Sequence, residues 1–273
     1  MLTPIISVVI PTFKPDKYLI ECINSINRID QMDLIEVIIV LNGDMDPYYN
    51  FISSNFSHLK NVRIFYNPIK GVSSARNMGI DKSKSDFILF IDDDDFISGG
   101  FINEMIEFSK SGNLSKTIVA ANFKTYQSDT GEIGDDYVTN AYNKCKSIEE
   151  FNIIKFRGFL SSVCGKLIHK DLIGEKRFDV NTHISEDGLF LFSISNKIEN
   201  ILLASDAIYY RRLREGSAIR SKKSFFNKTI LWVKSVLNYS NVFLNSPLEY
   251  NFRFYITRLL AVTKVYLFSI FKK

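Results

Sequence analysis

The chain has 273 residues, 46% of them hydrophobic and 14% aromatic, with a formal net charge of +4. That composition supports one large core, or a core with a smaller appended unit, and excludes a disordered chain. Cys22, Cys145 and Cys164 lie far apart without C-x-x-C spacing; this speaks against a disulfide framework or a zinc site and fits a reducing compartment.

The charge is unevenly spread. From Arg211 to Lys273 there are 13 Lys or Arg against Glu215 and Glu249, a local excess of +11, so the first 210 residues carry −7. An acidic body precedes a basic tail.

The N-terminus lacks a positive region before its apolar run, and Ile6 to Ile10 is β-branched and stops at Pro11-Thr12-Phe13. These residues predict a first strand rather than a signal peptide. From Asp16 on, Tyr18, Leu19, Cys22, Ile23 and Ile26 share one helical face. Val37 to Leu41 is a second strand broken at Asn42-Gly43-Asp44, residues 47–56 form a short helix, and Val62 to Tyr66 is a third strand ended by Asn67-Pro68. This β-α-β-α-β alternation predicts a mostly parallel α/β sheet with right-handed crossovers. Gly71 to Asn77 opens another helix, with Ser73 or Ser74 as its cap.

Phe87 to Ile91 are five consecutive apolar residues, read as a strand buried on both faces, and they run directly into Asp92, Asp93, Asp94 and Asp95. Four adjacent carboxylates repel one another, and a divalent cation such as Mg2+ or Mn2+ removes the difficulty. In an extended chain Asp92 and Asp94 point the same way. The competing reading is an exposed acidic turn. In parallel sheets ligands bind beyond the carboxyl ends of the strands, where Pro11-Thr12, Asn42, Asn67 and the acidic cluster fall. For Asn42 and Asn67, ordinary turn chemistry is the alternative.

Beyond the cluster the pattern predicts a helix over 101–108, a strand over 118–123, a hairpin at Asp129-Thr130-Gly131, a helix over 148–156 and a strand over 159–169. A capped helix is expected from Ser185-Glu186-Asp187 to about Asn196, then strands over 201–204 and 207–211.

These residues resemble the family 2 glycosyltransferases, the inverting nucleotide-sugar transferases of the GT-A fold, over residues 5–220. The matching motifs are Ser7 to Phe13, the Gly71-x-x-x-Ala75-Arg76-Asn77-x-Gly79-Ile80 helix, Phe90 to Asp95, Gly165 to Ile168 and Ser185-Glu186-Asp187. The resemblance implies a Rossmann-like, mostly parallel sheet flanked by helices. Residues 1–98 would be the nucleotide-binding half, 99–220 the acceptor-binding half and 221–273 a C-terminal amphipathic helical extension. It implies a UDP-sugar donor bordered by Pro11, Thr12, Phe13, Asn42, Asn67, Arg76, Asp92, Asp93 and Asp94. Mn2+ or Mg2+ would sit on Asp94, with Asp92 reaching the ribose or the metal, and Asp187 would be the base, with Glu186 as second choice. An exposed helix charge paired with an acid such as Asp81 is the other reading of Arg76.

Two features depart from the family pattern. The second strand of the family usually ends in an acidic pair followed by Gly-Ser, whereas here it reads Leu41-Asn42-Gly43-Asp44; Asn42 can still accept from the uracil N–H. No Gln-x-x-Arg-Trp follows, and the single tryptophan is Trp232, so the resemblance implies transfer of one hexose or N-acetylhexosamine per encounter to a growing surface glycan. The altered turn also permits a non-catalytic nucleotide-sugar-binding partner subunit.

In the tail, on a helix starting near Phe252, Arg253, Thr257, Arg258 and Lys264 share one half, and Tyr255, Leu259, Val262, Tyr266 and Ile270 the other. That is a basic amphipathic helix rather than a span, since the longest later uncharged run, Val265 to Phe271, has seven residues against the roughly 20 a bilayer demands. It either lies on an anionic cytoplasmic leaflet, bringing a cytoplasmic enzyme to a lipid-linked glycan acceptor, or packs on the catalytic domain or a second subunit of a homodimer. The acidic body and the lack of a recognition module speak against nucleic acid.

Overall fold

The computed structural model describes residues 3–28, 31–182, 185–214 and 224–271; the expected boundary at residue 220 lies outside them. Strands β1 (Ile6–Thr12), β2 (Ile35–Asn42), β3 (Val62–Asn67) and β4 (Phe87–Phe90) form a parallel half-sheet in the order β3-β2-β1-β4. Crossovers run through α1 (Lys17–Ile26), α2 (Tyr48–Phe56) and α3 (Val72–Lys82). All residues of β1, β2 and β4 are buried, as near-continuous Val, Ile and Leu runs require when both faces are covered. Helix α3 lies directly on β1 and β2. A Cβ placed at Gly79 would stand 2.2 Å from Val9 Cγ1, so glycine there lets the helix approach the strand.

After β4 come β5 (Phe96–Ile97), α4 (Phe101–Lys110), β6 (Thr117–Gln127), β7 (Ile133–Asp135), α5 (Tyr137–Cys145), β8 (Lys166–His169), α6 (Lys170–Ile173), α7 (Glu186–Ser193) and β9 (Asn200–Leu213). Antiparallel β8 sits between β4 and β6, β9 runs parallel to β6, and β5 closes the far edge. The expected α/β sheet, mostly parallel and flanked by helices, is what forms.

The second half departs from the sequence expectations in detail. Residues 148–156 hold no helix before a 3-10 turn over Phe156–Ser161. The Asn152 side chain accepts from the backbone of Ile154 and Lys155, and that local turn competes with a helix while Ile148, Phe151 and Ile153 still pack on the core. The helix lies earlier, as α5, capped by Asp136 in a capping box with Thr139. The strand expected over 159–169 is confined to Lys166–His169, because Gly165 turns at φ +63 with the Phe123 ring against it.

The two last strands are one. Its register slips against β6 between Ala120 and Asn122, and the Glu104 carboxylate accepts from the backbone of Ser205, Asp206 and Ala207 in the bulge. Ser73 and Ser74 do not cap α3: Gly71 is its N-cap, and Ser74 accepts from Asn67. Ser185 takes a left-handed conformation at the start of α7 and makes no side-chain cap bond; α7 then ends at Ser193, before a short 3-10 turn.

Helices α8 (Phe225–Asn245) and α9 (Phe252–Phe271) form an antiparallel hairpin. It is zipped by stacked pairs, Trp232 on Tyr266 and Phe243 on Tyr255. Arg258 does not face solvent as the helical wheel suggests. It is buried and donates from Nη1 to the Leu160 carbonyl at 2.6 Å, alongside Ser161. Conversely, Ile256, Leu260, Val265, Leu267 and Phe268 are exposed, so α9 is apolar on both sides. By length and composition it meets the requirement for a membrane span, which the sequence reading denied; its 20 residues carry only Arg253, Arg258 and Lys264 as charges.

Candidate active site

The carboxyl ends of β1, β2, β3 and β4 converge on one crevice. Beyond β4 the chain turns, with the Asp95 N–H donating to the Asp92 carbonyl. The four carboxylates separate into two roles. The side chains of Asp92 and Asp94 remain 40% and 29% exposed, the alternation expected of an extended chain although the chain here is a turn. Asp93 accepts from the Thr12 hydroxyl. Asp95 is buried and accepts from Tyr209 Oη at 2.6 Å and from the Arg212 N–H at 2.8 Å. Asp93 and Asp95 thus tie the acidic turn to β1 and β9 and leave the other pair facing outward.

Charges held this close perturb one another. Burial, with Asp94 and Asp92 beside it, pushes the Asp93 carboxyl up to about 7 against the opposing Thr12 hydrogen bond. Asp94 is raised by desolvation and then by Asp92, with Arg214 opposing. Desolvation and the same neighbours raise Asp95 further.

Arg76, on α3, is the hub of the site. Its guanidinium is buried, donates from Nη2 to Asp92 Oδ1 at 2.8 Å and from Nη1 to Asp187 Oδ1 at 2.6 Å, and lies over the Phe178 ring. Asn77, the next residue, exchanges two hydrogen bonds with the backbone of Phe178 and so fixes that ring. Asp187 and Asp92 hold the Arg76 pKa above its ordinary value despite burial. The reading of Arg76 as an exposed charge paired with Asp81 is overturned, for Asp81 pairs with Arg177 instead.

At the N-terminus of α7, Asp187 Oδ2 also accepts from the Val163 N–H at 3.0 Å. Glu186 stands beside it with its carboxyl raised by burial and then by Asp187. The structure therefore brings Asp92, Asp94, Arg76, Glu186 and Asp187 into one constellation, although Asp187 lies 111 residues from Arg76.

Asn42 and Asn67 reach the same crevice but are almost fully buried. Asn42 donates to the Thr12 carbonyl at 2.7 Å and accepts from the Gly71 N–H at 2.9 Å. Asn67 donates to Ser74 and accepts from the Ile69 N–H. Both amides cross-link the loops that shape the crevice, the turn chemistry weighed from the sequence. Pro11 is a buried residue of β1, whereas Phe13 is partly exposed, leans over Gly43 and is flanked by Lys14 and Lys70.

Residues that the sequence did not single out complete the site. Arg214 Nη2 lies 3.0 Å from Asp94 Oδ2, and Arg212 binds the Asp94 carbonyl and Glu21. Tyr209 donates to Asp95 and accepts from the Asp92 N–H. Their signal in the sequence is the run Arg211 to Arg214, which stands at the head of the basic tail. Lys166, from the Gly165-Lys166 motif, is fully buried; it donates to the Cys164 carbonyl and faces the Phe123 ring, and desolvation lowers its pKa to about 8.

Among the described residues no three His, Cys, Asp or Glu side chains gather into a metal cage. Asp92 and Asp94, each partly exposed and each with one carboxylate oxygen on an arginine, Arg76 or Arg214, are instead the oxygen donors that suit Mg2+ or Mn2+ when substrate phosphates complete the shell. The residues present fit such an ion at Asp92 and Asp94.

Residues 7–175 match the family model described as glycosyl transferase family 2. The chain belongs to that family. It is 30% identical over 234 residues to the minor teichoic acid biosynthesis protein GgaB of Bacillus subtilis, covering 82% of this chain and 25% of that protein. To glycosyltransferase GlyA of Streptococcus pneumoniae it is 26% identical over 224 residues, 79% of this chain and 31% of the relative. The family 2 chain thus spans a third or less of the length of these two curated relatives. The S. aureus TarS 1-349 structure in complex with UDP-GlcNAc matches it with a TM-score of 0.75 at 20% identity, over 97% of this chain and 73% of that one. That likeness establishes the fold.

Proposed function

We propose that this family 2 chain is an inverting glycosyltransferase that moves a single hexose or N-acetylhexosamine from a UDP-sugar to a hydroxyl of a growing surface glycan in the cytoplasm. The observation that carries the reading is Arg76, which joins Asp92 at the carboxyl end of β4 to Asp187 at the start of α7. One buried cation thereby sets the distance between a donor-side and an acceptor-side carboxylate. The naming of GgaB for teichoic acid biosynthesis and the UDP-GlcNAc complex of TarS support this donor and this class of acceptor.

In this reading residues 1–98 hold the nucleotide and 99–220 the acceptor, with Phe13 and the Asn42 and Asn67 turns shaping the nucleotide side. Asp94, with Asp92, would hold Mn2+ or Mg2+, which when bound supplies Lewis-acid stabilisation of charge on the departing diphosphate. Asp187 takes the proton from the attacking acceptor hydroxyl. Its two hydrogen bonds, from Arg76 and from the Val163 N–H, occupy only part of the carboxylate's acceptor capacity and leave lone pairs for the acceptor hydroxyl. Attack opposite the leaving phosphate inverts the anomeric carbon: the bond from the acceptor oxygen forms as the bond to the phosphate oxygen breaks.

A panel of UDP-sugars scored for UDP release with and without Mn2+ tests the reading. Release that depends on metal and is abolished in Asp94→Ala supports it, whereas release unaffected by both that substitution and chelation refutes it.

A further inference from the structure

The α8–α9 hairpin carries a surface that the transfer reaction does not use. Among the described residues 21 large hydrophobic side chains are exposed, and 14 of them lie between Phe225 and Phe271. They include Leu237 and Leu244 of α8 and Ile256, Leu260, Val265 and Phe268 of α9. Neither helix contains an acidic residue, and Lys234, Arg253 and Lys264 are exposed on the two helices. Scattered exposed apolar residues need no explanation, but a concentration of this size with charge of one sign marks a contact surface.

We propose that the outer face of the α8–α9 hairpin docks on an anionic lipid bilayer surface, its apolar side chains entering the headgroup boundary and its lysines and arginine meeting the lipid phosphates. Charge complementarity selects this occupant. A second copy of the chain would set cationic faces against one another, whereas an anionic leaflet matches them.

The inner face of the hairpin decides between lying on the bilayer and crossing it. Phe254, Arg258 and Val262 of α9 are buried; Phe254 lies beside Phe192 of the body, and Arg258 is hydrogen-bonded to the Leu160 carbonyl. Crossing would strip these contacts and place the Arg258 charge in hydrocarbon. Docking by the outer face leaves them intact.

The same inner face touches the candidate site. A Cβ at Gly188, next to Asp187, would meet Tyr239 Oη of α8 at 2.7 Å and Arg258 Nη1 of α9 at 3.8 Å. A docked bilayer therefore lies on the far side of a hairpin about 10 Å thick, near the carboxylates proposed to receive the acceptor. That consequence rests on the transferase reading; the docking surface itself does not.

Co-sedimentation of the full chain with phosphatidylcholine vesicles, with and without phosphatidylglycerol, tests the proposal. Binding is expected to vesicles containing phosphatidylglycerol and to weaken as salt rises. Leu260→Glu and Phe268→Glu, both at exposed positions, are each expected to weaken it by roughly tenfold. UDP affinity and melting temperature should be unchanged in both variants, so lost docking with intact UDP binding separates this surface from the transferase reading. Equal binding to neutral vesicles, no binding at all, unchanged binding in both variants, or a dimer abolished by the same substitutions would each overturn the docking proposal.

Discussion

Replacing Arg76 by Met removes the charge at the centre of the site while keeping most of its volume, and leaves Asp92 and Asp187 without their shared cation. The Asp187 side chain is 16% exposed and the Asp92 side chain 40%. Breaking a buried ion pair on one side costs about 3–5 kcal/mol, and a solvated partner contributes less than about 1. The lower end applies here, about 3 kcal/mol, which in a chain of this size corresponds to a fall in melting temperature of roughly 6–12 °C. Turnover should fall further than stability suggests, by about a hundredfold, because the two carboxylates lose their relative placement.

Thermal and urea unfolding of wild type, Arg76→Met, Asp187→Asn and the double variant form the assay. A coupling energy of about 1.5–3 kcal/mol between the two positions is expected. If Arg76→Met costs less than about 1 kcal/mol, or the two changes add within about 0.5 kcal/mol, the bridge does not organise the site.

Asp187→Asn should retain UDP binding, followed by calorimetry, and lose turnover; unimpaired turnover would move the base elsewhere, with Glu186→Gln as the next variant to measure. Gly79→Ala meets Val9 Cγ1 at 2.2 Å and should destabilise by about 1–3 kcal/mol through overpacking, read as a lower urea midpoint; no shift would mean that α3 moves away freely. For Lys166 the folded pKa, about 8, lies below the ordinary 10.5. The unfolded chain therefore binds more protons in between, and stability rises with pH across that window by up to about 3 kcal/mol. Urea midpoints at both ends of the window should show this rise in wild type and its loss in Lys166→Met; parallel curves would show that Lys166 is not desolvated.

The nucleotide half of the fold was legible because its signals are local. Runs such as Val37 to Leu41 are buried on both faces, and the strands end at Asn42 and Asn67, the latter followed by Pro68. The second half was less so. A turn made by the Asn152 side chain displaced the helix expected over 148–156, and the Glu104 carboxylate, about a hundred positions away, stabilises the bulge that let two expected strands continue as one. In the site, the acidic cluster and the Glu186-Asp187 pair were visible as residue types. What they touch was not.

The sequence alone determined the alternation of strands and helices as far as β4, the four carboxylates after Ile91 and the concentration of positive charge toward the far end, since each follows from neighbours along the chain. Only the tertiary structure decided that Arg76 spans Asp92 and Asp187, that Arg214 meets Asp94, and that Arg258 turns inward while Leu260 and Phe268 face out. The physical reason is one and the same. A charged side chain pairs with whatever opposite or polar group the packed elements bring within reach, and helical periodicity shows which residues share a face but not which face the body covers.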